Sequence, residues 1–128
     1  MFQKIANLAI AGAMGTIARF GMTRFIQKMN STSLPYETML VNLSGCFIAG
    51  LLWTLFEHKW HASGEIQTLV MVGFIGAFTT FSSLILETNN LFNTAGWIDA
   101  AANLIFHNGM GVILLLAGIR FGRMISQF

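Results

Sequence analysis

Four apolar runs, residues 5–25, 40–56, 66–86 and 100–119, take up most of the chain, and most of the charged residues gather in the short stretches between them. The hydrocarbon core of a bilayer is crossed by about 20 largely apolar residues, so each run has the length of a membrane-spanning helix. A soluble fold would need a charged shell, yet only 9% of the 128 residues are charged, against roughly 25% in ordinary soluble domains. The seven Lys and Arg form no basic cluster of the kind that grips nucleic acid. The chain therefore reads as one all-α transmembrane domain over 1–128, with four spans solvated by the lipid bilayer. The first run holds Arg19 near its end and lacks an A-x-A cleavage pattern, so it reads as a retained helix and not as a signal peptide.

The stretch 29–35 contains the only proline and reads as a loop, with Thr38 near the start of the next helix. The stretch 57–65 places charge and Trp60 at an interface, and 89–97, Asn-rich with no Lys, Arg or Glu, reads as the third loop. Four spans put both termini on one side. Lys4, Lys59, Arg120 and Arg123 are then weighed against Arg24 and Lys28, with Arg19 too deep to count. So small a bias permits insertion in both orientations, and with it an antiparallel homodimer. Cys46 stands alone, which excludes an intrachain disulfide.

Polar side chains inside spans are costly and mark functional paths. Here they recur at helical spacing: Gly12, Gly15, Arg19 and Thr23 in the first span, Thr38, Asn42 and Cys46 in the second, Asn103, His107 and Gly111 in the fourth. Residues four apart stack on one helix face, so each span offers a polar or small stripe. Such stripes line a wet track, and they equally serve close helix packing. His107 reads either as a pH-sensitive group or as a bonded interior imidazole; a lone histidine does not make a metal site.

The third span carries the strongest signal. Gly73-Phe74-Ile75-Gly76-Ala77-Phe78-Thr79-Thr80-Phe81-Ser82-Ser83-Leu84, followed by Glu87, concentrates glycine and hydroxyl groups at mid-membrane depth. Those groups tolerate a broken helix and re-satisfy its freed backbone, and unwound carbonyls can hold a small cation. A break is expected between Gly76 and Phe81, the alternative being a continuous helix with Ser and Thr bonded to the preceding turn.

These motifs resemble the Fluc (CrcB) family of fluoride channels over nearly the whole chain. Gly12-Ala13-Met14-Gly15-Thr16-Ile17-Ala18-Arg19-Phe20 resembles the family's glycine-rich first helix, and Thr38-Met39-Leu40-Val41-Asn42-Leu43-Ser44-Gly45-Cys46-Phe47 its T-L-x-V-N-x-x-G-x-F segment. The third-span sequence resembles its G-F-x-G-x-x-T-T-F-S-[ST] break. The resemblance implies an antiparallel dual-topology homodimer in the inner (plasma) membrane, with two pores that export fluoride passively and a central structural sodium ion. It implies that Gly76 and Thr79 give backbone carbonyls to sodium and that Asn42 and Phe81 contact the permeating ion. Arg19 would stand at a vestibule, Ser82, Thr38 and Glu87 near the pore, and Asn103, His107 and Gly111 along a polar track. Two positions depart from the pattern. Leu84 stands where a second phenylalanine is usual, leaving one ring or a contribution from Phe78. His107 stands where serine or asparagine is more familiar, and a protonated imidazole there would attract anions.

An enzyme is not expected, because no nucleophile and base stand at usable spacing. The alternative is a small four-span secondary transporter, coupled to protons or cations. A multidrug exporter of that kind needs an acid in its first helix, and no Asp or Glu precedes Glu37.

Overall fold

The computed structural model describes residues 1–29 and 36–127; the loop read at 29–35 lies, but for Met29, outside them. Among the described residues, four helical spans are long and apolar enough to cross a membrane. The first is α1 (Phe2–Met29) and the second α2 (Tyr36–His58). The third begins with α3 (Gly64–Thr68), continues as a π-helical stretch over Leu69–Ile75 and a single turn, α4 (Gly76–Phe78), and resumes as α5 (Phe81–Thr94). The fourth is α6 (Trp97–Ser126).

The break falls inside the segment that its glycines and hydroxyls mark out. Thr79 and Thr80 are extended, with ψ of 159° and 115°. Local chemistry ends one helix and starts the next: Thr79 Oγ1 donates back to the Ile75 carbonyl at 3.0 Å, and Thr80 Oγ1 accepts from Ser83 N at 3.3 Å, an N-cap for α5. The π-helical winding just before it adds a residue per turn and so leads into the interruption; such bulges gather at functional positions.

The helix α5 runs farther than its composition suggests. Residues read as loop, Asn89 to Thr94, stay helical, with the Asn93 and Thr94 side chains turned back onto the carbonyls four residues earlier, at 2.9 and 2.8 Å. The connection to α6 shrinks to Ala95 and Gly96, and Gly96 takes a φ of 111° that favours glycine.

The core is centred on α2, nearly half of whose apolar window is buried, while very little of the α1 window is fully buried. Close backbone contact fixes the neighbours. On the α2–α6 seam a Cβ at Gly50 would meet the Leu115 carbonyl, one at Gly118 the Phe47 carbonyl, and one at Gly122 the Thr54 side chain. Asn42 pairs with His107 farther back along the same seam, so the two helices run parallel. On the other side, a Cβ at Gly15 would strike the Phe74 carbonyl and one at Gly73 the Ala11 side chain, so α1 lies along the first half of the third span. Small residues thus serve backbone approach, the main source of helix association in lipid. Outward positions such as Ile17, Ile105 and Leu116 stay exposed, as a lipid-facing surface requires. At one end Lys4 pairs with Glu65 at 3.5 Å and Lys59 Nζ donates to the Ile125 carbonyl at 3.0 Å. The start of α1, the α2–α3 turn and the end of α6 therefore share one side.

Candidate functional site

Asn42, buried on α2, faces the break and matches its backbone group for group. Its Oδ1 accepts from Thr80 N at 2.7 Å, and its Nδ2 donates to the Thr80 carbonyl at 2.8 Å. Those two partners fix which end of the amide is which, since Thr80 N can only donate and its carbonyl only accept. The remaining Nδ2 hydrogen meets Nε2 of His107, on α6, at 3.1 Å. Three separate segments therefore converge on one amide.

The clamp has a consequence for the backbone. In an unbroken helix Thr80 N would donate to the Gly76 carbonyl; here it turns to Asn42. The Gly76 carbonyl, at an exposed position, loses its helical donor. Neutral oxygens of this kind suit a hard cation. Among the described residues no group of three or more His, Cys, Asp and Glu converges for a metal.

Two clefts flank Thr80. One, of about 330 Å³, is lined by Asn42, Thr79, Phe81, Leu84, His107 and Gly111, with Cys46 and Asn108 at its wall. The other, of about 460 Å³, is lined by Arg19, Thr38, Thr80, Ser82 and Ser83, with Thr16, Phe20 and Thr23. Among the described residues, Arg19 is the only charged side chain lining either one. The Thr80, Ser82 and Ser83 hydroxyls form a chain, with Oγ separations of 3.3 and 3.1 Å from Thr80. Above Asn42 on α2, the Thr38 hydroxyl donates to Oε1 of Glu87, whose Oε2 is buried without a partner. Asn103 Nδ2 donates to Thr88 Oγ1 at 2.9 Å, which joins α6 to α5.

The residues singled out in the sequence thus divide. Asn42, Phe81, Leu84, His107, Gly111 and Thr79 share the first cleft; Arg19, Thr38 and Ser82 share the second; Glu87 and Asn103 are tied to the walls between α2, α5 and α6. Phe81 is 68% exposed and Leu84 only 3%, so the two differ in access although both line the cleft. Phe78 does not line it. Its ring is buried, stacked on Phe74 with centroids 6.2 Å apart. Asn42 has both amide hydrogens engaged, so in this conformation it clamps the break and can reach an ion only by leaving a partner.

Sequence reasoning gave no role to Thr80, the hub of the site. Its one advance signal is the hydroxyl three residues ahead of Ser83, the spacing of a helix cap. Thr88 was missed too; nothing local marks it, since its partner Asn103 lies across a turn.

Comparison with known proteins adds to this geometry. The model of the family described as CrcB-like protein, Camphor Resistance (CrcB), matches residues 6–119. A protein of Desulforapulum autotrophicum named fluoride-specific ion channel FluC is 50% identical over 125 residues, covering 98% of this chain and 100% of the relative. Proteins of the same name from Nitrosococcus oceani and Solidesulfovibrio magneticus are 38% and 35% identical, each over 98% of this chain and 100% of its own length.

Proposed function

The chain belongs to the CrcB family, and on that premise we propose that it is a fluoride-selective channel, passing the ion passively out of the cell and catalysing no reaction. The observation that carries this reading is the Asn42–Thr80 clamp, which holds a broken span between two clefts, one of them lined with serine and threonine hydroxyls beside Arg19. Fluoride holds its water tightly, so a pore must replace that water with hydrogen-bond donors. Hydroxyls of Ser82 and Ser83 line one cleft beside Arg19, and Phe81 borders the other. The edge of an aromatic ring is weakly positive, a contact that suits a small anion.

The working unit in this reading is an antiparallel dual-topology homodimer with two pores. Support comes from the face that carries Gly76 and Phe81, both exposed in one protomer. A carbonyl without a donor costs several kcal/mol in hydrocarbon, and a second copy laid over this face removes that cost. The small charge bias between loops agrees with insertion both ways. A structural sodium ion fits the same face: the Gly76 and Thr79 carbonyls would hold it, and the ion would supply positive charge to tie two copies together. The membrane is the plasma membrane, as export requires.

The coupled transporter gains no support, since the relatives are named as channels and no acid precedes Glu37. The test is fluoride efflux from liposomes containing purified protein, read with a fluoride electrode. Passive, fluoride-selective flux is expected without a proton gradient; equal chloride flux, or a need for that gradient, rejects the proposal.

A further inference from the structure

His107 is 5% exposed, and its Nδ1 is buried without a partner. Its other nitrogen has a role that follows from bonding alone. Asn42 Oδ1 is committed to Thr80 N and one Nδ2 hydrogen to the Thr80 carbonyl. The group that Asn42 turns toward His107 Nε2 is therefore a donor, and Nε2 at 3.1 Å has to accept. A nitrogen that accepts carries no proton, so the neutral ring has its hydrogen on Nδ1.

We propose that His107 is a positioning residue of the break: as a neutral imidazole in the Nδ1–H form, it holds the Asn42 amide in the orientation that clamps Thr80. A proton added at Nε2 would set two donors against each other. Asn42 cannot answer by rotating its amide, because each end would then face the wrong Thr80 group. Either the His107 contact or the clamp must open, and in both cases the amide loses one of its three anchors. The sign follows: acid weakens the clamp, the opposite of an imidazolium that draws anions in.

Other groups around the ring are few. From α2, Cys46 lines the same cleft; from α5, Glu87 is held by Thr38, one turn from Asn42. Arg19 of α1 lies in the other cleft, beyond Thr80. None of the hydrogen bonds among the described residues brings one of these charges to the imidazole.

The inference deepens the channel reading and rests on it for its flux readout, so a second readout is independent of flux. In His58→Gln/His61→Gln protein, His107 is the only imidazole, and nitrogen-15 NMR in bilayers reads its form directly. The Nδ1–H form is expected near neutral pH, shifting toward Nε2–H in Asn42→Ala; an Nε2–H or charged ring in the parent overturns the proposal. Fluoride efflux is then measured with equal pH on both sides, corrected for protein-free vesicles. From about pH 7.5 down to the pH at which the nitrogen-15 signal reports a charged ring, the parent should slow about fivefold or more. His107→Gln presents an amide oxygen that accepts without titrating, so its ratio of rates at the two pH values should stay near one. A rise in acid, no change in the parent, or an equal fall in His107→Gln overturns the proposal. Absence of flux at every pH would instead reject the channel reading, with the NMR still deciding the role of His107.

Discussion

The Thr38 hydroxyl donates to Oε1 of Glu87 and so ties α2 to α5 one helical turn from the amide that clamps the break. The second oxygen of that carboxyl is buried without a partner, so this one bond is the acid's whole anchorage among the described residues. Thr38→Val should cost about 1–3 kcal/mol, the usual penalty for orphaning a buried polar group. Glu87→Gln keeps an accepting oxygen and should cost less. Thermal unfolding in detergent measures both, and a Thr38→Val variant as stable as the parent would mean that the hydroxyl contributes nothing.

Asn42→Ala removes the partners of Thr80 N and of the Thr80 carbonyl together. Asn42→Asp retains an acceptor for Thr80 N but has no donor for the carbonyl. Both should lower fluoride efflux by about tenfold or more, consistent with about 1.4 kcal/mol per decade of rate. Asp should keep more thermal stability than Ala. Efflux at parental rates in either variant would show that the clamp is not needed for the pathway.

Leu84 and Phe81 should respond differently to changes of size. Leu84 is 3% exposed, so Leu84→Phe overfills a packed site and should destabilise by about 1–3 kcal/mol. Phe81 is 68% exposed in the protomer, so Phe81→Ala should leave the protomer's fold intact while abolishing efflux. A circular dichroism melt beside the efflux assay separates the two effects. Unaltered efflux from Phe81→Ala would remove the ring from the pathway.

Methyl groups added along the glycine seams should be felt in proportion to what they meet. Gly118→Ala drives a carbon into the Phe47 carbonyl, whereas Gly109→Ala meets nothing within 4 Å. The first should lose about 1–3 kcal/mol and the second should unfold like the parent. Equal melting temperatures for both would show that the seam has room to give.

The four spans were legible because hydropathy over a 20-residue window is set by the bilayer, whatever the helices do with one another. The break was legible for a different reason: two glycines and four hydroxyl side chains are concentrated between Gly73 and Ser83, at mid-membrane depth. The ends of the spans were less so. Asn93 and Thr94 look like loop residues, yet in place they bond to their own helix. Long-range pairing left no local trace. Asn42 and Thr80 are 38 positions apart and Asn42 and His107 are 65 apart, so periodicity placed each on a stripe without naming its partner. Nor did it separate Phe78 from Leu84: which of two apolar residues reaches a cleft is decided by helix rotation after the break.

The glycine seam between α2 and α6 leaves those helices no slack, since Gly50, Gly118 and Gly122 bring main chain and side chains into direct contact. Asn42 and His107 are mounted on this single girder, and their spacing is inherited from it. Thr80 belongs to a different member of the frame. The Asn42 amide is therefore the grip by which the paired helices α2 and α6 take hold of the interrupted span at this depth.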